Sequence, residues 1–238
     1  MRQENSTPWW RTAFEVVSTV LMVALAGAIV WQGRARSSGE PGAGPATSEF
    51  AIPGEPITIT GDAIRGSYSA PVAIIEFADF ECSYCARFAQ DIEPALRNEY
   101  INTGRVLLAF KHFPLPNHKA AMVAAQAAWC GGRQSRFWEV HDRLFSLSGG
   151  LTAFSPADVG REVGLDMREY DACRHGEESA QAVRGDRDQG QRLGVRGTPY
   201  FFIGSVDPDR RVKVSHVLVG ARSVEAFKAV LDRLTEPK

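Results

Sequence analysis

Ile74-Ile75-Glu76-Phe77-Ala78-Asp79-Phe80-Glu81-Cys82-Ser83-Tyr84-Cys85 is the stretch on which the fold turns. Its first half, with Pro71-Val72-Ala73 before it, is a short apolar run rich in β-branched residues and reads as a buried strand. Its second half is a Cys-x-x-Cys pair. From Ala86 to Asn102 the residues Phe88, Ile92, Ala95, Leu96 and Tyr100 form a helical stripe. Pro94 falls inside that stripe and should kink it, and Gly104 closes it. Val106–His112 then reads as a second buried strand. The order strand, cysteine pair, helix, strand is a βαβ unit with the cysteines at the start of the helix.

A Cys-x-x-Cys pair admits three chemistries. Structural zinc needs a second pair or Cys/His ligands at compact spacing, whereas Cys130 and Cys173 stand alone. A purely structural bridge across a two-residue spacer closes too small a loop to constrain much. Redox exchange fits best. At a helix start Cys82 meets free N–H groups and the positive end of the helix dipole, which moves thiols of such motifs into the ~3.5–7.5 range. Cys82 is then a thiolate near neutral pH and a good leaving group, and Cys85, one turn in, is the resolving thiol. Glu76 lies among Ile74, Ile75 and Phe77. As a buried carboxyl it can exchange the proton of Cys85; as a strand-end charge it would be exposed.

Downstream, His118–Cys130 and Ser135–Leu147 read as helices. Ser155-Pro156 opens a third, Asp166 caps a fourth through about Cys173, and Glu177–Leu193 is a fifth. Gly197-Thr198-Pro199 precedes a strand, Tyr200–Gly204. Val212–Val219 alternates as an edge strand, and Val224–Leu234 closes the chain as a helix.

The segments IEFADFECSYC, KHFPLPNHKAAMVAAQAAWC and GVRGTPYFFIG together resemble the DsbA-like branch of the thioredoxin superfamily, over essentially residues 57–238. The resemblance implies a thioredoxin-like α/β fold with an inserted α-helical domain at about 114–180. It implies that Pro199 is cis and packs beside the cysteines, leaving the backbone at Thr198 free to pair with an extended substrate. Glu76 matches the buried acid of the family. Phe80 and Tyr84 are expected to give apolar contacts to unfolded substrates; Phe88 is expected in the core. Cys130 and Cys173 match places where relatives carry a structural disulfide. Ser83-Tyr84 stands where strongly oxidising members have Pro-His, so the potential is open within the family span of roughly −270 to −120 mV.

Outside this region, Thr12–Gln32 carries one charge, Glu15, and is flanked by Trp9, Trp10 and Trp31. It is long enough for a transmembrane anchor; a cleaved signal peptide ending at Ala26 or Ala28 is the alternative. Residues 1–11 would be a cytoplasmic tail and 33–56, rich in Gly, Pro, Ala and Ser, a flexible linker. Basic residues tie across the span, so orientation rests on the chemistry. Disulfide exchange belongs outside the bacterial cytoplasm, which places the catalytic domain on the periplasmic face of the inner membrane. The expected partners are proteins with thiols or disulfides, and the resemblance adds a membrane re-oxidant of the DsbB or vitamin K epoxide reductase type. A net charge of −1 gives no sign of nucleic-acid binding. No metal and no cofactor are expected, since no two histidines have metal-pair spacing. A reductase or isomerase, a dedicated partner of one client, and a chaperone-like holdase remain open readings.

Overall fold

The computed structural model of the chain describes residues 51–147, 151 and 155–236. The expected tail, anchor and most of the linker (1–50) lie outside the described residues. Among the described residues no helix is long and apolar enough to cross a membrane.

A six-stranded sheet carries the domain. Its strands are β1 (Ile57–Thr58), β2 (Ala63–Arg65), β3 (Val72–Ala78), β4 (Val106–His112), β5 (Tyr200–Val206) and β6 (Arg211–Val219). Their spatial order is β1-β6-β5-β3-β4-β2. β3 lies at the centre, parallel to β4 and antiparallel to β5. Every residue of β3 and β4 is buried, because both faces of the sheet are covered. Ala73, Ile75 and Phe77 enter one core with Leu107, Ala109 and Phe202. Val72 and Ile74 enter the other with Leu108, Phe201 and Ile203.

The segment after β3 is helical throughout but not uniformly α. Helix α1 (Ser83–Arg87) passes through a wide turn (Phe88–Ile92) into α2 (Glu93–Leu96), and a second wide turn (Arg97–Ile101) follows. Glu93 N–H reaches back to the carbonyl of Phe88, and Asn102 N–H to that of Arg97. The expected disturbance by Pro94 thus takes the form of two i→i+5 turns around it. The proline cannot donate, and the wider turns absorb the mismatch. Phe88, Ile92, Leu96 and Tyr100 still fall on one buried face, packed with Phe227 and Leu231 of α8 (Val224–Thr235).

Between β4 and β5 run α3 (Ala121–Arg133), α4 (Phe137–Ser146), α5 (Pro156–Val163), α6 (Met167–His175) and α7 (Glu177–Arg192). Ser155 and Asp166 cap α5 and α6, each through a side-chain oxygen accepting backbone N–H groups of the first turn. Their core also contains Cys82 and Cys85, so the cysteine pair lies against the helical layer. Gly190 lets α7 approach the sheet: a Cβ there would stand 2.7 Å from Phe113 and 2.9 Å from Phe77.

One expectation needs correction. Arg211–Val219 is not the outermost strand, because β1 pairs with its start through Ile57↔Val212 and Thr58↔Arg211. The burial of Ile57 and Ile59 (2% and 0% exposed) anchors that short strand. Two or three residues carry no periodicity, so neither β1 nor β2 is visible as a pattern.

A disulfide joins Cys130 of α3 to Cys173 of α6, with Cα atoms 5.8 Å apart. It spans 43 residues of sequence, and replacing both cysteines by alanine should cost about 2–4 kcal/mol. Urea unfolding of the double variant, with the reactivity of Cys82 as control, checks this.

Candidate active site

β3 delivers the site. Past Ala78 the chain turns at Asp79, whose carbonyl accepts from Cys82 N–H at 3.1 Å. Cys82 occupies the position before α1 with extended backbone (φ −76°, ψ 119°), and its carbonyl accepts from Ala86 N–H at 3.0 Å. Cys82 and Cys85 are free thiols. Cys82 is 6% exposed and Cys85 fully buried.

The Thr198–Pro199 peptide bond is cis. The Thr198 carbonyl accepts from the Cys82 thiol at 3.3 Å. The Pro199 carbonyl is already engaged by Gly220 N–H at 2.9 Å. Two segments distant in sequence are therefore in contact: the Cys82 thiol and the backbone immediately before β5. The Thr198 hydroxyl is buried without a partner; a thiolate at Cys82 would give it an acceptor.

The two thiols are electrostatically unlike. The Cys85 thiol beside it is the largest influence holding the Cys82 pKa down, to about 6. Thr198 and the free N–H groups of Cys85 and Tyr84 add to this, against the opposing effect of burial. Burial pushes Cys85 well up, and its neighbour Cys82 and the charge of Glu76 push the same way. Glu76 is 1% exposed and its Oε1 has no hydrogen-bond partner. Burial raises its pKa well above the carboxylate range, and nearby Glu93 raises it further.

The other expected contacts divide. Tyr84 is 61% exposed beside the cysteine pair. Phe80, expected on the substrate face, is instead 1% exposed. It stacks on Phe110 with centroids 5.4 Å apart and lies 4.8 Å from Phe145. The reason is the helical layer, which covers the end of β3 where Phe80 emerges. Phe88 is core, as expected.

Asp79 and His118 carry a role not read from the sequence. Asp79 Oδ2 accepts from Leu115 N–H at 2.8 Å and faces His118 Nδ1 at 2.8 Å, and its Oδ1 accepts from Glu81 N–H at 2.7 Å. Glu81 Oε2 accepts from Ala120 N–H at 2.8 Å. These bonds tie the turn before Cys82 to the segment that leads into α3. The only sequence signal is an acid three residues before the cysteine pair. His112 and His141 sit in an aromatic cluster with Phe80 and Phe110. Burial lowers both, His112 to about 3, and His141 Nδ1 lies 2.7 Å from Asp142 Oδ1. Among the described residues no three His, Cys, Asp or Glu side chains are grouped to hold a metal ion.

A family model described as thioredoxin matches residues 58–232. The chain is 36% identical over 152 residues to the protein named Na(+)/H(+) antiporter NhaA 1 of Salinispora arenicola. That match covers 62% of this chain but 22% of the antiporter, so the chain spans about a fifth of the length of such relatives. It is 29% identical over 154 residues to the probable disulfide bond formation protein D of Bacillus anthracis, covering 60% of this chain and 71% of that one. Among solved structures, BdbD from Bacillus subtilis in its oxidised form superposes with a TM-score of 0.66 at 21% identity, over 79% of this chain and all of that one. Wolbachia pipientis alpha-DsbA1 does so with a TM-score of 0.65 at 23% identity, over 75% and 93%. With the family match running through both the cysteine pair and the cis-proline, the chain belongs to the thioredoxin family.

Proposed function

We propose that this chain forms disulfides in extracytoplasmic proteins by cycling Cys82 and Cys85 between disulfide and dithiol. A substrate thiolate attacks Cys82 Sγ of the oxidised pair. The Cys82–Cys85 bond breaks, a mixed disulfide forms at Cys82, and Cys85 departs as a thiolate. That buried thiolate takes a proton from the carboxyl of Glu76. A second substrate thiolate then attacks the substrate sulfur, and Cys82 leaves as a stable thiolate. The substrate has lost two electrons, now held by the Cys82/Cys85 dithiol. In re-oxidation the Cys82 thiolate attacks a disulfide of a membrane-bound oxidant of the DsbB or vitamin K epoxide reductase type, forming a mixed disulfide and releasing one oxidant thiolate. Cys85 then returns its proton to Glu76 and attacks Cys82 Sγ, re-forming the Cys82–Cys85 bond and leaving the electron pair on the oxidant's dithiol. The backbone at Thr198, whose carbonyl the Cys82 thiol gives up on forming the mixed disulfide, and the exposed Tyr84 receive an extended substrate segment. The Cys130–Cys173 bridge clamps the helical layer. The apolar span 12–32 anchors the domain to the outer face of the inner membrane, with 1–11 inside and 33–56 as tether.

The observation that carries the exchange reading is the Cys82 thiol, its pKa held down to about 6, in contact with the Thr198 carbonyl beside the cis Thr198–Pro199 bond. A stabilised thiolate favours the reduced form of the enzyme, which makes the disulfide form an oxidant. Equilibration of the Cys82/Cys85 pair with glutathione tests it. The oxidase reading expects a potential well above the thioredoxin end of the range, roughly −270 mV. A value close to the thioredoxin end would replace the oxidase by a reductase.

A further inference from the structure

Sheet register places an ion cluster on the same face as Glu76. Glu76 pairs across β3 and β4 with Phe110, and Phe110 pairs with Ala63 of β2. Arg65, two residues on, pairs with Leu108. Side chains two apart share a face, so Glu76, Phe110, Leu108, Ala63 and Arg65 all point toward the active-site helix. There Arg65 Nη1 meets both oxygens of Glu93 at 3.3 Å. Its Nη2 donates to Asp142 of α4 at 2.8 and 3.0 Å, and the guanidinium lies 4.2 Å above the Trp138 ring. Arg97 also donates to Glu93 through Nε, at 3.0 and 3.2 Å. The Glu93 side chain is 2% exposed and that of Arg65 11%.

Two guanidiniums and two carboxylates cancel, and Glu76 is the odd acid beside them. Protonated, it leaves the group neutral; ionised, it adds an uncompensated charge in a buried place. Cys82, Cys85 and Glu93 act on it from the active-site segment and Arg65 from β2; Arg97 and Asp142 bind that ion pair, and His112 of β4 and His141 of α4 lie against Phe110. β5 and α8 present Phe201 and Phe227 on this face. Phe110, directly opposite Glu76, offers no charge.

We propose that the Arg65–Glu93 ion pair sets the proton affinity of Glu76, which makes Arg65 and Glu93 positioning residues for proton exchange with Cys85. This rests on the reading of Glu76 as proton carrier. Burial and then Glu93 hold the Glu76 proton on, and Arg65 draws it off. The balance of the pair decides whether the carboxyl both gives and accepts a proton in the working pH range.

The test is an infrared titration of the Glu76 carboxyl in the reduced full chain, the band being assigned by its loss in Glu76→Gln. Glu93→Gln keeps shape and removes the negative charge, so the ionisation midpoint should fall by about one pH unit or more. Arg65→Met should raise it by a similar amount, and Arg65→Lys should leave it near the parent value. Opposite shifts are the signature, since loosened packing has no reason to give them. An unmoved midpoint in Glu93→Gln, or a rise, overturns the proposal even if Arg65→Met fails to fold. The Glu76 reading fails separately, if Glu76→Gln turns substrate over at the parent rate.

Discussion

Cys82→Ser should lose turnover by roughly 10³-fold or more, the scale seen when a covalent nucleophile is removed, with the fold retained. The serine oxygen can occupy the place beside the Thr198 carbonyl but cannot form the mixed disulfide. The thiolate also leaves a pH signature in the parent. The Cys82 pKa in the folded reduced chain, about 6, is below the ordinary thiol value of 9.0. It therefore contributes stability that is fully present above that ordinary value and is lost as pH falls through about 6. The oxidised pair does not titrate. Urea unfolding should show the reduced form gaining on the oxidised form as pH rises between these limits. An advantage flat across that window would contradict the depressed thiol.

Glu76→Leu should make the protein more stable and less active. Leucine removes a buried carboxyl oxygen that has no partner, a relief worth about 1–3 kcal/mol. The sign with pH is fixed by the raised pKa. The folded chain keeps a proton that the unfolded chain releases above the ordinary carboxyl value of 4.5, so parent stability falls as pH climbs from there through the folded pKa. The gain from leucine should therefore be larger at neutral pH than in acid. Exchange should slow by roughly 10²-fold, the usual scale for a lost proton-transfer group, because Cys85 departs with nothing to protonate it. Thermal or urea midpoints at two pH values and single-turnover rates check both halves. Lower stability than the parent at neutral pH would sink the argument.

The sequence carries the frame of this site because its signals are local. Short apolar runs mark β3 and β4, Ser155 and Asp166 mark two helix starts, and the apolar neighbours of Glu76 betray its burial. Local pattern fails where the determinant is distance. Phe80 looks available beside Cys82, but α4, far along the chain, brings Phe145 onto it. Arg65 finds Glu93 and Asp142 across 28 and 77 residues, and Asp79 finds His118 across 39. No spacing rule links such pairs. The cis-proline contact became legible only because Gly197-Thr198-Pro199 and the cysteine pair were read together as a family resemblance.

The central claim is that Cys82 exchanges disulfides with protein thiols and that Cys85 resolves them. Mass spectrometry of the Cys85→Ala chain after exposure to envelope proteins tests it most directly. The account predicts accumulated mixed disulfides through Cys82, absent in Cys82→Ser and released by reductant. A Cys85→Ala chain that remains a bare thiol, while the parent still binds unfolded chains, would contradict it and leave a holdase.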